Sequence, residues 1–139
     1  MNKTYREILR GVSPWVALGF FMHDFFRSRS SKQRERLLRA AVREPASSTP
    51  EQHQWAVFCA ASAEYLSLKY NLPCPEWVNN PRYVLTEPWF TSKIATPEWQ
   101  EQVKAETPEP FARRNIFCGD RIFANKYELA EDLQRRRSA

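Results

Sequence analysis

A broken line of aromatic and proline residues in the second half of the chain constrains its fold more than any other feature. It runs Glu64-Tyr65-Leu66, then Leu72-Pro73-Cys74-Pro75-Glu76-Trp77, then Glu87-Pro88-Trp89-Phe90, and finally Pro110-Phe111-Ala112-Arg113-Arg114-Asn115-Ile116-Phe117. Each proline fixes its own φ and withdraws a backbone donor, so the bends are set by the sequence itself. The large rings between them offer burial worth roughly 1.5–3 kcal/mol each. The line holds no nucleophile with its base, no metal-ligand cluster and no phosphate cradle. It is built to hold a shape and present a surface.

With 139 residues, the chain is most economically a single domain, 1–139, long enough for a real core. Hydrophobic residues at 42% and aromatics at 14% place it among folded proteins rather than disordered ones. Only three glycines are present, which argues against a glycine-dependent phosphate loop and against many tight hairpins. Cys59, Cys74 and Cys118 are odd in number and widely spaced. They predict neither a disulfide framework nor a zinc site, and a reducing cytoplasm suits them. No cofactor or metal is expected. The apolar run at 16–26 is too short for a membrane span and is broken by His23 and Asp24; no N-terminal signal is read.

The net charge of +5 is unevenly spread. Residues 1–48 hold ten Lys/Arg against four Asp/Glu, residues 49–110 four against eight, and residues 111–139 seven against four. A basic front, an acidic middle and a basic tail suit nucleic-acid contact at the ends, ends folded back on the middle, or a charged partner.

The local grammar is mainly helical. Residues 3–10 carry Tyr5, Ile8 and Leu9 on one side. Ser13-Pro14 opens a helix in which Trp15, Leu18, Gly19, Met22, Phe25 and Phe26 recur as a wide apolar stripe. Ser31 caps a basic helix to about Val42, with Leu37, Leu38 and Ala41 inward and Lys32, Arg36, Arg39 and Arg43 outward. Residues 44–50 read as a linker ending in a capping box at Thr49-Pro50-Glu51-Gln52. The strongest helix follows to about Tyr70, with Trp55, Phe58, Cys59, Ser62, Tyr65, Leu66 and the Lys69 stem inward and Asn71 closing it.

Residues 72–95 then form a proline-punctuated connection, with a short strand considered at 82–86. Thr96-Pro97 opens a helix to about Glu106, and 115–123 suits a small hairpin or an irregular turn. Asn125 caps a last amphipathic helix that frays into a flexible tail at 135–139. The predicted fold is a compact bundle of about five helices.

Candidate chemistry is thin. His23-Asp24 cannot form an oriented dyad unaided, because adjacent helical residues point about 100° apart. His53 is expected to be solvated. Glu64, Glu76 and Glu87 lie near the aromatic landmarks, and Glu64 is the one expected to be partly buried, bonded to the following loop. Arg113 and Arg114 beside Phe111 and Phe117 are able to grip phosphate, stack on a base or pair with an acidic protein surface, or else to tie the loop down. Trp77, Trp89 and Phe90 are core plugs by default and interface anchors otherwise.

The landmark order resembles a bacterial family of small helical proteins with the pattern A-E-Y-L…LP-x-P-x-W…PWF…P-x-x-F-x-R-R-N-I-F. The resemblance rests on Ala63-Glu64-Tyr65-Leu66, Leu72-Pro73-Cys74-Pro75-Glu76-Trp77, Pro88-Trp89-Phe90 and Phe111-Ala112-Arg113-Arg114-Asn115-Ile116-Phe117, and it spans roughly residues 16–123. Similar segments follow helix-turn-helix domains in antitoxin-like regulators, or stand alone beside candidate toxins, nucleotidyltransferase-like ones included. The resemblance implies an antitoxin-like partner protein rather than an enzyme. The helix-turn-helix module itself is not seen here, so promoter binding is not carried over.

The leading expectation is therefore a cytoplasmic helical protein that covers the active site of a cognate toxin. Trp77, Trp89, Phe90, Arg113, Arg114, Asn115 and Phe117 would form its contact patch. The first alternative is a nucleic-acid-binding regulator using the basic helix 32–43 and the basic C-terminus. The second is a small enzyme with Glu64 or His23 as its acid–base residue.

Overall fold

Serine, threonine and proline signals fix where the helices begin. The computed structural model describes residues 1–28, 30–92, 96–123 and 137. Among them, α1 is Asn2–Leu9, α2 Pro14–Arg27, α3 Ser31–Arg39, α4 Pro50–Lys69, α5 Pro97–Glu106 and α6 Glu109–Ala112. A 3-10 turn at Glu76–Asn79 and two short strands, β1 Trp89–Phe90 and β2 Ile116–Phe117, complete the order. The protein is mainly helical, as its capping pattern predicts.

The capping box at Thr49 forms in full. The Thr49 hydroxyl accepts from the Gln52 amide at 3.1 Å, and the Gln52 side chain accepts from the Thr49 amide at 3.0 Å. Both bonds satisfy donors that a helix start would otherwise leave open. At the other end Asn71 takes φ 54°, the left-handed close that asparagine tolerates. The α1–α2 connection uses Gly11 at φ 98° for the same reason.

Helix α4 is the axis of the fold and packs against α1, α3, α6 and the 3-10 turn. Its residues Trp55, Ala56, Val57, Phe58, Cys59, Ala60, Ala61, Ser62, Ala63 and Glu64 are all buried, so it is enclosed rather than half-submerged. The predicted one-sided stripe is thus too narrow. Four alanines let neighbours approach from several directions, and Ser62 returns its hydroxyl to the Phe58 carbonyl at 2.8 Å. Around α4 a single core gathers Tyr5, Phe25, Leu38, Phe111 and Ile116, all fully buried.

Several local expectations need correction. Helix α3 stops at Arg39, and Ser30 rather than Ser31 is its N-cap. Val42 is still buried although it lies beyond the helix, while Ala41 is exposed. No strand forms at 82–86. No hairpin forms at 115–123 among its described residues: β2 pairs in parallel with the distant β1, Trp89 opposite Ile116 and Phe90 opposite Phe117. The alternation around Gly119 is a local cue, whereas this pairing is long-range and invisible to local pattern. Residues 44–50 belong to the connection between α3 and α4, and Glu44 within them is pinned on several sides. The helix expected after Asn125 and the tail at 135–139 lie outside the described residues, apart from Arg137.

Candidate partner-binding surface

The Arg-Arg-Asn-Ile-Phe run proves to be a stitch holding the proline-rich connection to the helical core. Helix α6 turns at Arg113, and Arg114 enters the interior with 1% of its surface exposed. Its guanidinium donates to the Pro110 carbonyl at 2.6 Å, the Val78 carbonyl at 2.9 Å and Glu64 Oε2 at 3.2 Å. Arg113 clasps both oxygens of the same carboxylate, Nε reaching Oε1 at 3.1 Å and Nη2 reaching Oε2. Burial pushes the Glu64 carboxyl upward, but the hydrogen bonds from Arg113 and Arg114 prevail and hold it below its ordinary range. Burial likewise lowers Arg114, with Glu64 opposing.

Asn115 continues the stitch. It sits at φ 64°, and its Nδ2 donates to the Leu85 carbonyl at 2.7 Å. Its own carbonyl accepts from the Trp89 amide at 2.8 Å, while the Arg114 carbonyl accepts from the Leu85 amide at 3.0 Å. A left-handed residue here redirects the chain from α6 into β2 alongside β1.

The predicted contact patch therefore divides. Arg114 belongs to the interior and offers a partner almost no surface; its expected contact role is corrected. Arg113 is exposed but engaged with Glu64. Trp77 is half-buried, with Nε1 donating to the Leu38 carbonyl at 3.0 Å and its ring edge-on to Tyr83. Asn115 is half-buried in the stitch. Phe90 and Phe117 are half-buried and face one another at 5.3 Å, with the Lys104 ammonium within 6 Å of both rings. Trp89 alone leads to a surface of a different kind.

Trp89 meets Trp55 edge-on at 5.0 Å, and Trp55 meets Trp15 edge-on at 5.4 Å. Phe58 backs all three, at 5.3 Å from Trp55, 5.7 Å from Trp15 and 6.2 Å from Trp89. Exposure grades outward along the series: Trp55 is 8% exposed, Trp89 is half-buried and Trp15 is 45% exposed. Beside them Val16 is 49% exposed. A recess of about 290 Å³ opens beside Trp55, between the α1–α2 turn and the start of α4, walled by Ile8, Val12 and Pro14 on one side and by Thr49, Glu51 and Gln52 on the other. Trp15 belongs to the wide apolar stripe of α2 and is the part of it that stays 45% exposed. At the first turn of α2, Trp15 packs its ring against Trp55 and Phe58 of α4.

The remaining chemistry is structural in form. Glu44, 2% exposed at its side chain, receives His53 Nδ1 at 2.9 and 3.0 Å, the Ser48 hydroxyl at 2.5 Å and Arg82 at 3.4 Å. His53 is thus oriented rather than simply solvated. Ser48 gives its proton to Glu44 and not to the imidazole, so the group clasps three chain segments without forming a nucleophile–base pair. His23 and Asp24 lie on the exposed side of α2. In the basic helix α3, Lys32, Arg36 and Arg39 are exposed, but Arg34 turns back to the Phe25 and Ser28 carbonyls and over three aromatic rings.

Among the described residues no group of three or more His, Cys, Asp or Glu side chains is placed to hold a metal ion. No helix among them is long and apolar enough to cross a membrane. Compared with protein-family models, curated protein sequences and solved structures, the chain matches none of them.

Proposed function

We propose that this chain is an antitoxin-like protein of the bacterial cytoplasm, which captures a cognate toxin and neutralises it by covering the toxin's working surface. The carrying observation is the graded tryptophan series Trp55, Trp89 and Trp15, with a recess of mixed polar and apolar lining beside Trp55. Tryptophan anchors of this kind, rigid and partly desolvated before contact, dominate the energetics of protein interfaces. Neutralisation by occlusion needs burial and complementarity rather than a reacting group, which suits a chain whose polar clusters are spent on holding segments together. The resemblance of the landmark line to antitoxin-like proteins is the ground for taking the partner to be a toxin, and a nucleotidyltransferase-like enzyme is one candidate.

The test is co-expression of the tagged chain with the product of its neighbouring gene. A stable complex, with growth arrest by the neighbour alone and relief by this chain, supports the reading. A harmless neighbour that does not co-purify rejects it.

A further inference from the structure

His53 stands near the start of α4 with Nδ1 at 2.9 and 3.0 Å from the two oxygens of Glu44. An ionised carboxylate only accepts, so Nδ1 carries the ring proton, and in the neutral imidazole the lone pair lies on Nε2. Glu44 is 2% exposed at its side chain and is itself held by Ser48 and Arg82, so the ring is oriented from behind. The clasp uses only that edge. The His53 side chain is 32% exposed, and Nε2 lies across the ring from Glu44. Among the described residues no group bonds Nε2, and it does not belong to their buried unpaired polar atoms.

The surroundings of the open edge suit an anion. Arg82 stands on the same carboxylate, its Nη2 at 3.4 Å from Glu44 Oε1, with half of its side chain exposed. One buried carboxylate thus sets a guanidinium beside the imidazole, and a guanidinium is a natural partner for phosphate oxygens. The positive end of α4 lies close by, since the His53 amide still bonds the Thr49 carbonyl at 2.9 Å. Glu51 is the acidic residue of that first turn and opposes it. The recess beside Trp55 is not lined by His53, so a reagent for Nε2 is a small one arriving from solvent.

We propose that His53 is a phosphoryl-acceptor site, modified on Nε2 by a small donor of the phosphoramidate or acyl-phosphate class. The Nε2 lone pair attacks phosphorus and the N–P bond forms. The donor's bond to its leaving group breaks, and that group takes the electron pair; from phosphoramidate it departs as ammonia. The ring becomes an imidazolium bearing the phosphoryl group, with its Nδ1 proton still in place. The new positive charge is spread over the edge that Glu44 faces. Glu44 is therefore a positioning residue, which sets the tautomer and steadies that charge as a buried carboxylate does behind a catalytic histidine. Arg82 serves the phosphoryl oxygens.

Incubating the whole chain with phosphoramidate at neutral pH tests this, read by intact mass spectrometry under non-acidic conditions and by phosphorus–proton NMR. The NMR correlation separates Nε2 from Nδ1 attachment, and His23, the other histidine of the chain, is the internal comparison. One phosphoryl group is expected first on Nε2 of His53, and it is lost in His53→Gln. Glu44→Gln still accepts from Nδ1 but lacks the charge, and is expected to slow labelling about tenfold or more in protein shown folded by circular dichroism. Arg82→Gln, at an exposed position that leaves the Glu44–His53 bond in place, is expected to slow it as well. Labelling of His23 at the same rate overturns the proposal. So does attachment at Nδ1 of His53, or an Arg82→Gln protein labelled as fast as wild type.

Discussion

Glu64 and Arg114, fifty positions apart, meet at 3.2 Å with the arginine 1% exposed. Their contact joins α4 to the loop after α6, and the same guanidinium holds the Val78 carbonyl at the end of the 3-10 turn. The arginine pair is thereby a device of folding, which places the surface that the tryptophans form.

Removing one member of this buried group strands the other. Glu64→Gln is expected to destabilise by about 3–5 kcal/mol, the range for breaking buried ion pairs. Arg114→Lys is expected to be destabilising as well, since a single ammonium cannot reproduce the fork that reaches Glu64, Pro110 and Val78. Urea denaturation followed by tryptophan fluorescence measures both, and stabilities equal to wild type would contradict the assignment.

The same carboxylate sets a direction for pH dependence. Its folded pKa lies below the ordinary value of 4.5, so ionised Glu64 stabilises the fold at pH values above that figure. The contribution is lost as pH falls from 4.5 through the depressed folded value. Stability measured from pH 6 downward (about pH 6 to 3, spanning the ordinary carboxylate range) should fall less steeply in Glu64→Gln than in wild type.

Asn115 separates a backbone effect from a side-chain one. Asn115→Ala loses both the tolerated left-handed conformation and the bond to Leu85, at about 2 kcal/mol in all. Asn115→Gly keeps the backbone freedom and should recover roughly half of that loss. Equal destabilisation by the two would show that φ 64° carries no strain here.

Thiol reactivity should follow burial. Burial pushes both Cys59 and Cys118 up to about 12, and Cys59 is fully enclosed. Cys74 is exposed, although burial of its sulfur raises it as well. A disulfide reagent at neutral pH is expected to modify Cys74 first, Cys118 slowly and Cys59 only on unfolding. Early modification of Cys59 would contradict the enclosed α4.

The helix starts were legible in the sequence because their signals are local. Thr49-Pro50 and Thr96-Pro97 each sit where the hydroxyl accepts the third amide onward, and Asn71 and Pro73 close α4 where expected. The β1–β2 pairing was not legible, because Trp89 and Ile116 meet only after α6 has turned the chain. Arg114 looked like a surface cation because arginine usually is one; its burial depends on Glu64 arriving from another helix. Glu44 was hidden in an apparent linker for the same reason, its partners His53 and Arg82 lying nine and thirty-eight positions away. The apolar stripe of α2 was legible, but not which of its members stays open: Leu18, Met22, Phe25 and Phe26 are buried while Trp15 is 45% exposed.

The central claim is that the tryptophan face captures the partner while the arginine stitch only builds it. Titration calorimetry of the co-purified partner against Trp15→Ala measures this most directly. The predicted result is a Kd raised about thirtyfold or more, the loss of an interface hot spot of about 2 kcal/mol, with Tm close to wild type. An unchanged Kd in a folded Trp15→Ala protein would contradict the account.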